Sequence, residues 1–181
     1  MDNLKLTQLI STRISHDLSG TIGAIYNGTE LLQDDPDFAA DATDLIQTSS
    51  ASLMSRMRFF RQAFGLPKEG DDTLPEYLKT FSVPFEVTGT AKNNLQRLLV
   101  MALTDYFYRG ADIAITSDCI SAHGKALKDP TPLFTLLTDG SGEENATNAP
   151  AFFAFYLSQQ MNATIQPMRP DETQIKIYIR Q

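Results

Sequence analysis

Ile10, Ile14, Leu18, Ile22, Ile25, Thr29 and Leu32 recur at steps of three and four residues. That is the stripe of one long amphipathic helix over about residues 3–33. Residues 33–37 (Gln, Asp, Asp, Pro, Asp) interrupt it. Pro36 suits the first turn of a second helix, with Asp34 or Asp35 capping it and Asp37 near its positive end. The second helix, 37–64, carries its own seam of Ala42, Leu45, Ile46, Ser49, Leu53, Met57, Phe60 and Phe64. Two antiparallel helices with one apolar face each cannot enclose a core. Their faces must meet a second copy, making a four-helix bundle, or pack on the rest of the chain. The bundle is the more economical solution, so a homodimer is expected.

After residue 64 the pattern changes. Residues 65–72 (GLPKEGDD) read as a linker. Residues 74–81 predict a short helix, 85–89 a strand and 93–108 a helix stopped by Gly110. Residues 112–118 and 133–138 predict strands, 151–162 a helix, and 163–167 with 174–179 a final pair of strands. The fold class is therefore α+β. A helical hairpin, 1–66, precedes an α/β sandwich, 73–181, with one sheet covered on one face by helices.

Composition narrows the function. With 42% hydrophobic and 20% charged residues the chain is globular. No apolar run approaches the ~18 residues of a membrane span, and the first residues lack a signal pattern. The single cysteine, Cys119, excludes an internal disulfide. These features predict a cytoplasmic protein. A net charge of −7 argues against nucleic acid, which needs clustered Lys and Arg. The arginines Arg56, Arg58 and Arg61 fall on one helix.

His16 stands out on the first helix. It lies roughly 160–200° around the axis from Ile14 and Leu18, so it points outward. Asp17 follows it, and Arg13, Ser19, Gly20, Gly23 and Asn27 share its surroundings. Each helical glycine costs about 1 kcal/mol relative to alanine. Two of them beside one exposed histidine indicate close approach by something large. An outward imidazole on a rigid helix can act as nucleophile, base or ligand.

His16, Asp17 and Leu18, then Gly23, Ala24 and Ile25, then Asn27 and Gly28, then Glu30, Leu31 and Leu32 resemble the phosphoacceptor helix of ChpT-type histidine phosphotransferases. That family is related to the dimerisation helices of two-component sensor kinases. It has a proline five residues after the histidine, where this chain has Thr21. The second half resembles a kinase ATP-binding domain in a worn form. Residues 93–109 stand in the place of its Asn-box helix, with Asp105 near the magnesium-binding position. Asp139, Gly140, Ser141 and Gly142 stand in the place of its adenine box, and residues 161–165 in that of the Gly-Gly turn before the last hairpin.

The resemblance implies a homodimeric phosphotransferase of a phosphorelay. His16 would accept a phosphoryl group through Nε2 from a receiver-domain aspartate and pass it to another. Asp17 would orient the ring, and Arg13, Ser19, Gly20, Gly23 and Asn27 would frame the docking surface. The partners would be receiver domains of a hybrid histidine kinase and of response regulators. These would supply the Mg²⁺, so no metal or cofactor site is expected here. An active kinase using ATP and a non-catalytic receiver-binding scaffold are the rival readings.

Residues 139–142 could receive an adenine or form an ordinary turn. Residues 142–152 carry two acids and no base, which repels a triphosphate. The turn reading is preferred, and the resemblance implies the same. Cys119 and His123 lie four residues apart, too few ligands for zinc. Phe152, Phe153, Phe155 and Tyr156 are expected mostly in the core.

Overall fold

The computed structural model describes every residue except 35, 66–71, 126 and 181, and the side chains of 34 and 36. The Asp34 or Asp35 cap and most of the 65–72 linker therefore lie outside the described residues.

Helix α1 runs Asn3–Asp34 and α2 Ala39–Phe64, with a 3-10 turn over Pro36–Phe38 between them. The second helix thus begins two residues later than expected. Gly28 of α1 lies directly against α2. A Cβ there would sit 2.7 Å from Ile46 Cγ1 and 3.3 Å from the Ala42 carbonyl oxygen.

The rest of the chain alternates between helices and one sheet. The order is α3 (Leu74–Leu78), β1 (Phe85–Thr88), α4 (Asn94–Thr104), β2 (Ala111–Ile115), β3 (Cys119–His123), α5 (Thr131–Asp139), α6 (Ala149–Gln160), β4 (Thr164–Asp171) and β5 (Gln174–Arg180). The five-stranded sheet has the order β1-β2-β3-β5-β4. Strands β1 and β2 are parallel, joined through α4, and every other pair is antiparallel. Residues 95–104 of α4 are all buried. The helix opens on Asn93, whose side chain accepts the Gln96 amide hydrogen, while Gln96 Nε2 donates to the Thr116 carbonyl at 2.8 Å.

Two elements differ from the pattern reading. Residues 133–138 are not a strand but lie in helix α5. Leu133, Leu136 and Leu137 are its buried face, and their spacing is helical. Asp129 Oδ1 accepts the Thr131 amide hydrogen at its start, and Gly140, at φ 74°, closes its end in the left-handed region. A short apolar run cannot by itself separate helix from strand. The second difference is β3, a strand that the hydrophobic pattern does not predict. Only Ile120 and Ala122 of this strand are fully buried, so its apolar signal is two residues long.

The hairpin contributes to the apolar core. Leu6, Phe59, Phe60 and Ala63 of the hairpin belong to the same core as α4 and the sheet. Phe59 stacks on Tyr77 of α3, with ring centroids 3.8 Å apart and planes at 6°, and Phe64 stacks on Phe153 at 5.9 Å. The Tyr156 hydroxyl donates to the Met1 carbonyl at 3.2 Å. The start of α1 and the end of α2 thus rest on the C-terminal domain, as the alternative to the dimer required.

The hairpin also leaves a set of large apolar side chains in solvent. Ile14 and Leu18 pack against the core, but Ile22 is 52% and Met57 46% exposed, joined by Tyr26, Leu45 and Met54. A second copy would cover these side chains. Light scattering should then give a mass near twice the 20.1 kDa of one chain. A stable monomer at micromolar concentration would remove the bundle. Among the described residues no helix is long and apolar enough to cross a membrane.

Candidate functional site

His16 projects from the middle of α1 with 83% of its side chain exposed. Among the described residues its ring has one hydrogen-bonding side chain: Nδ1 lies 3.3 Å from Asp17 Oδ1. Asp17 is nearly buried, with 9% of its side chain exposed, and its second oxygen accepts from Arg13 Nε at 2.8 Å. Since Asp17 is an acceptor, the hydrogen belongs on Nδ1 and the lone pair on Nε2. The free nitrogen therefore faces outward.

Arg13 does not stand where the docking reading puts it. Only 7% of its side chain is exposed. Beyond Asp17 it reaches the end of α4, where Nη1 and Nη2 donate to the two oxygens of Asp105 at 2.7 and 3.1 Å. Nη1 also donates to the Thr147 carbonyl at 3.3 Å. Burial alone would lower the pKa of this guanidinium. Hydrogen bonds and charge from Asp105, then Asp17, overcome burial and hold it above its ordinary value. Burial pushes the Asp105 carboxyl up, against the hydrogen bond and charge of Arg13. Both oxygens of Asp105, the residue the resemblance puts near a magnesium-binding position, are engaged by Arg13.

The other docking candidates form a bare strip. Ser19, Gly20 and Asn27 are exposed, and Gly23 is half-buried. A Cβ added at Gly20 or Gly23 would meet nothing within 4 Å. Among the described residues no helix packs on either glycine. The Ser19 hydroxyl turns back to donate to the Ser15 carbonyl at 2.6 Å.

Two participants escaped the sequence reading. Arg56 of α2 donates from Nη1 to the Asp17 carbonyl at 3.3 Å and from Nη2 to the Thr80 carbonyl at 2.9 Å, and its guanidinium lies 5.5 Å over the Phe81 ring. It ties the histidine turn of α1 to the segment after α3. Thr147 supplies only backbone, which no residue identity could reveal.

At the C-terminal end of α5, the residues in the adenine-box place form a turn. Asp139 Oδ1 accepts from the Ser141 amide at 2.8 Å and from its hydroxyl, which holds this exposed carboxyl below its usual range. The acids Glu143 and Glu144 follow, exposed. Among the described residues no three His, Cys, Asp or Glu side chains gather as a metal would require.

Fold and site together define a relative of the ChpT-type histidine phosphotransferases. In particular, the chain is similar to the protein phosphotransferase ChpT of Brucella abortus (strain 2308), 28% identical over 176 residues, covering 84% of this chain and 83% of that one. Its fold is that of a bacterial phosphotransferase solved at 1.7 Å, with a TM-score of 0.80 and 24% identity over 99% of this chain and 98% of that one. A histidine kinase, AdeS of Acinetobacter baumannii, matches with 14% identity over 91% of this chain and 97% of its own, but at a TM-score of 0.33 it says nothing about the arrangement here. No family model matches the chain.

Proposed function

We propose that the chain carries a phosphoryl group between receiver-domain aspartates through His16. One observation carries this reading: an exposed imidazole whose one hydrogen-bonding side chain among the described residues, Asp17, is on Nδ1 and leaves Nε2 open to a partner. The similarity to a protein named as a phosphotransferase supports it.

In the forward step Nε2 attacks the phosphorus of a phospho-aspartate. The N–P bond forms as the P–O bond breaks, and the leaving carboxylate keeps the electron pair. The ring gains positive charge, which the Asp17 carboxylate offsets at Nδ1. The reverse of this step, onto another receiver's aspartate, returns the ring to its neutral form. The receiver supplies Mg²⁺, and this chain supplies the nucleophile and its orientation. Mixing the protein with a receiver domain carrying labelled phosphate tests the reading directly: label must reach the protein.

The bare strip would admit the receiver. Gly20→Leu and Gly23→Leu should each lower the transfer rate at least about tenfold by blocking approach. Leucine is the better helix former, so thermal stability should hold or rise, by up to about 1 kcal/mol. A slowed variant that also melts early would point to damage rather than blocked docking.

Nucleotide should not bind. Asp139 is used within its own turn and Asp105 by Arg13, so neither carboxylate offers itself to adenine or to Mg²⁺. Calorimetric titration with Mg-ATP should show no saturable heat at millimolar ligand. Micromolar affinity would favour the kinase reading.

A further inference from the structure

We infer that Asp105 is a positioning residue for phosphoryl transfer, acting through Arg13 and Asp17 to set which nitrogen of His16 is free. The inference rests on the function proposed above and adds a residue from the far domain to it.

His16 cannot orient itself. Its ring is exposed, and among the described residues Asp17 is its one hydrogen-bonding side chain. The orientation of His16 is therefore only as definite as the rotamer of Asp17. That rotamer is set by Arg13, whose Nε takes Oδ2 and leaves Oδ1 for the imidazole. Arg13 in turn is a long side chain with about 2 kcal/mol of rotamer entropy to lose. Two N–H groups of its fork are held by Asp105 at 2.7 and 3.1 Å, and the Thr147 carbonyl adds a third contact. With that end of the planar fork fixed, Nε is aimed at Asp17.

The series ends on something rigid. Asp105 is the residue that caps the buried helix α4, in right-handed helical conformation at φ −71° and ψ −14°. Its carbonyl accepts from Lys128 Nζ at 2.8 Å. A side chain 92 positions from Arg13 thus transmits the position of the folded core to the imidazole on the hairpin. A plain structural ion pair would need only one carboxylate. Here one guanidinium bridges two, and the second is the one that faces the histidine.

Asp105→Asn keeps the volume and removes the charge and one acceptor. Acceptance of label from a phospho-receiver should slow about tenfold. Nitrogen-15 NMR of the full chain should show His16 changing from one tautomer to a mixture. The only other histidine, His123, should stay unchanged and serves as the internal control. Asp105→Glu should recover part of the rate and of the tautomer signal. If Asp105→Asn fails to fold, Arg13→Lys replaces it, keeping the charge but losing the planar fork, with the same two readouts expected. Wild-type transfer in both folded variants, or slower transfer with the tautomer unchanged, overturns the inference. If the wild type itself takes no label, the proposed function fails, and the tautomer measurement still decides whether Asp105 positions the ring.

Discussion

His16→Gln should abolish phosphoryl acceptance, taking label from a phosphorylated receiver down to background. Glutamine keeps polarity and similar bulk but has no nucleophilic ring nitrogen. The fold should be untouched, because most of the His16 side chain is in solvent and its hydrogen bond to Asp17 is long, at 3.3 Å. Stability should change by no more than about 0.5 kcal/mol, as for other surface positions. His123→Ala, on the edge of β3 in the far domain, should transfer normally. Should label still reach His16→Gln, or never reach the wild type from any receiver tested, the scaffold reading replaces the phosphotransferase.

Arg13→Met should be the most destabilising single change near the site. It leaves Asp17 and Asp105 without their shared cation in a region where both are mostly buried. Breaking a buried pair this way costs about 3–5 kcal/mol. For a chain of this size that lowers the melting temperature on the order of 10 °C. The effect has a definite sign with pH. Burial already holds the Asp105 carboxyl above its usual range, and removing Arg13 removes what opposes that shift. A carboxyl raised in the folded state contributes stability below its unfolded value and loses it as pH rises. The deficit of Arg13→Met relative to wild type should therefore grow from about pH 5 to about pH 8. A deficit below about 1 kcal/mol, flat with pH, would mean that the two carboxylates find other partners or water.

The hairpin and the histidine were legible because both depend on local spacing. Steps of three and four over about thirty residues define a helix whatever it packs on. The same geometry places His16 opposite Ile14 and Leu18, so an outward imidazole followed by a carboxylate could be read from the order of residues. The turn at residues 139–142 was legible for the same reason, since Asp, Gly and Ser favour it locally. The boundaries that failed are those where local signal is short. The short run before Thr138, Leu133, Phe134, Leu136 and Leu137 around Thr135, fits a strand as well as a helix, and in the fold its buried leucines and the Gly140 cap belong to a helix.

The chain's order of residues thus determined the helices, the exposed nucleophile and its acidic neighbour. Only the tertiary structure decided what Arg13 does. On the helix it shares a face with His16, and as a sequence feature it belongs to the docking surface. In the fold, α4 brings Asp105 against that face, and two carboxylates with a nearly dry environment draw the guanidinium inward. The same holds for Arg56, whose partners are backbone carbonyls of α1 and of the segment after α3. No spacing rule reports a contact between residues so far apart in sequence, because the energy that selects it comes from burial and charge that exist only once the chain has closed on itself.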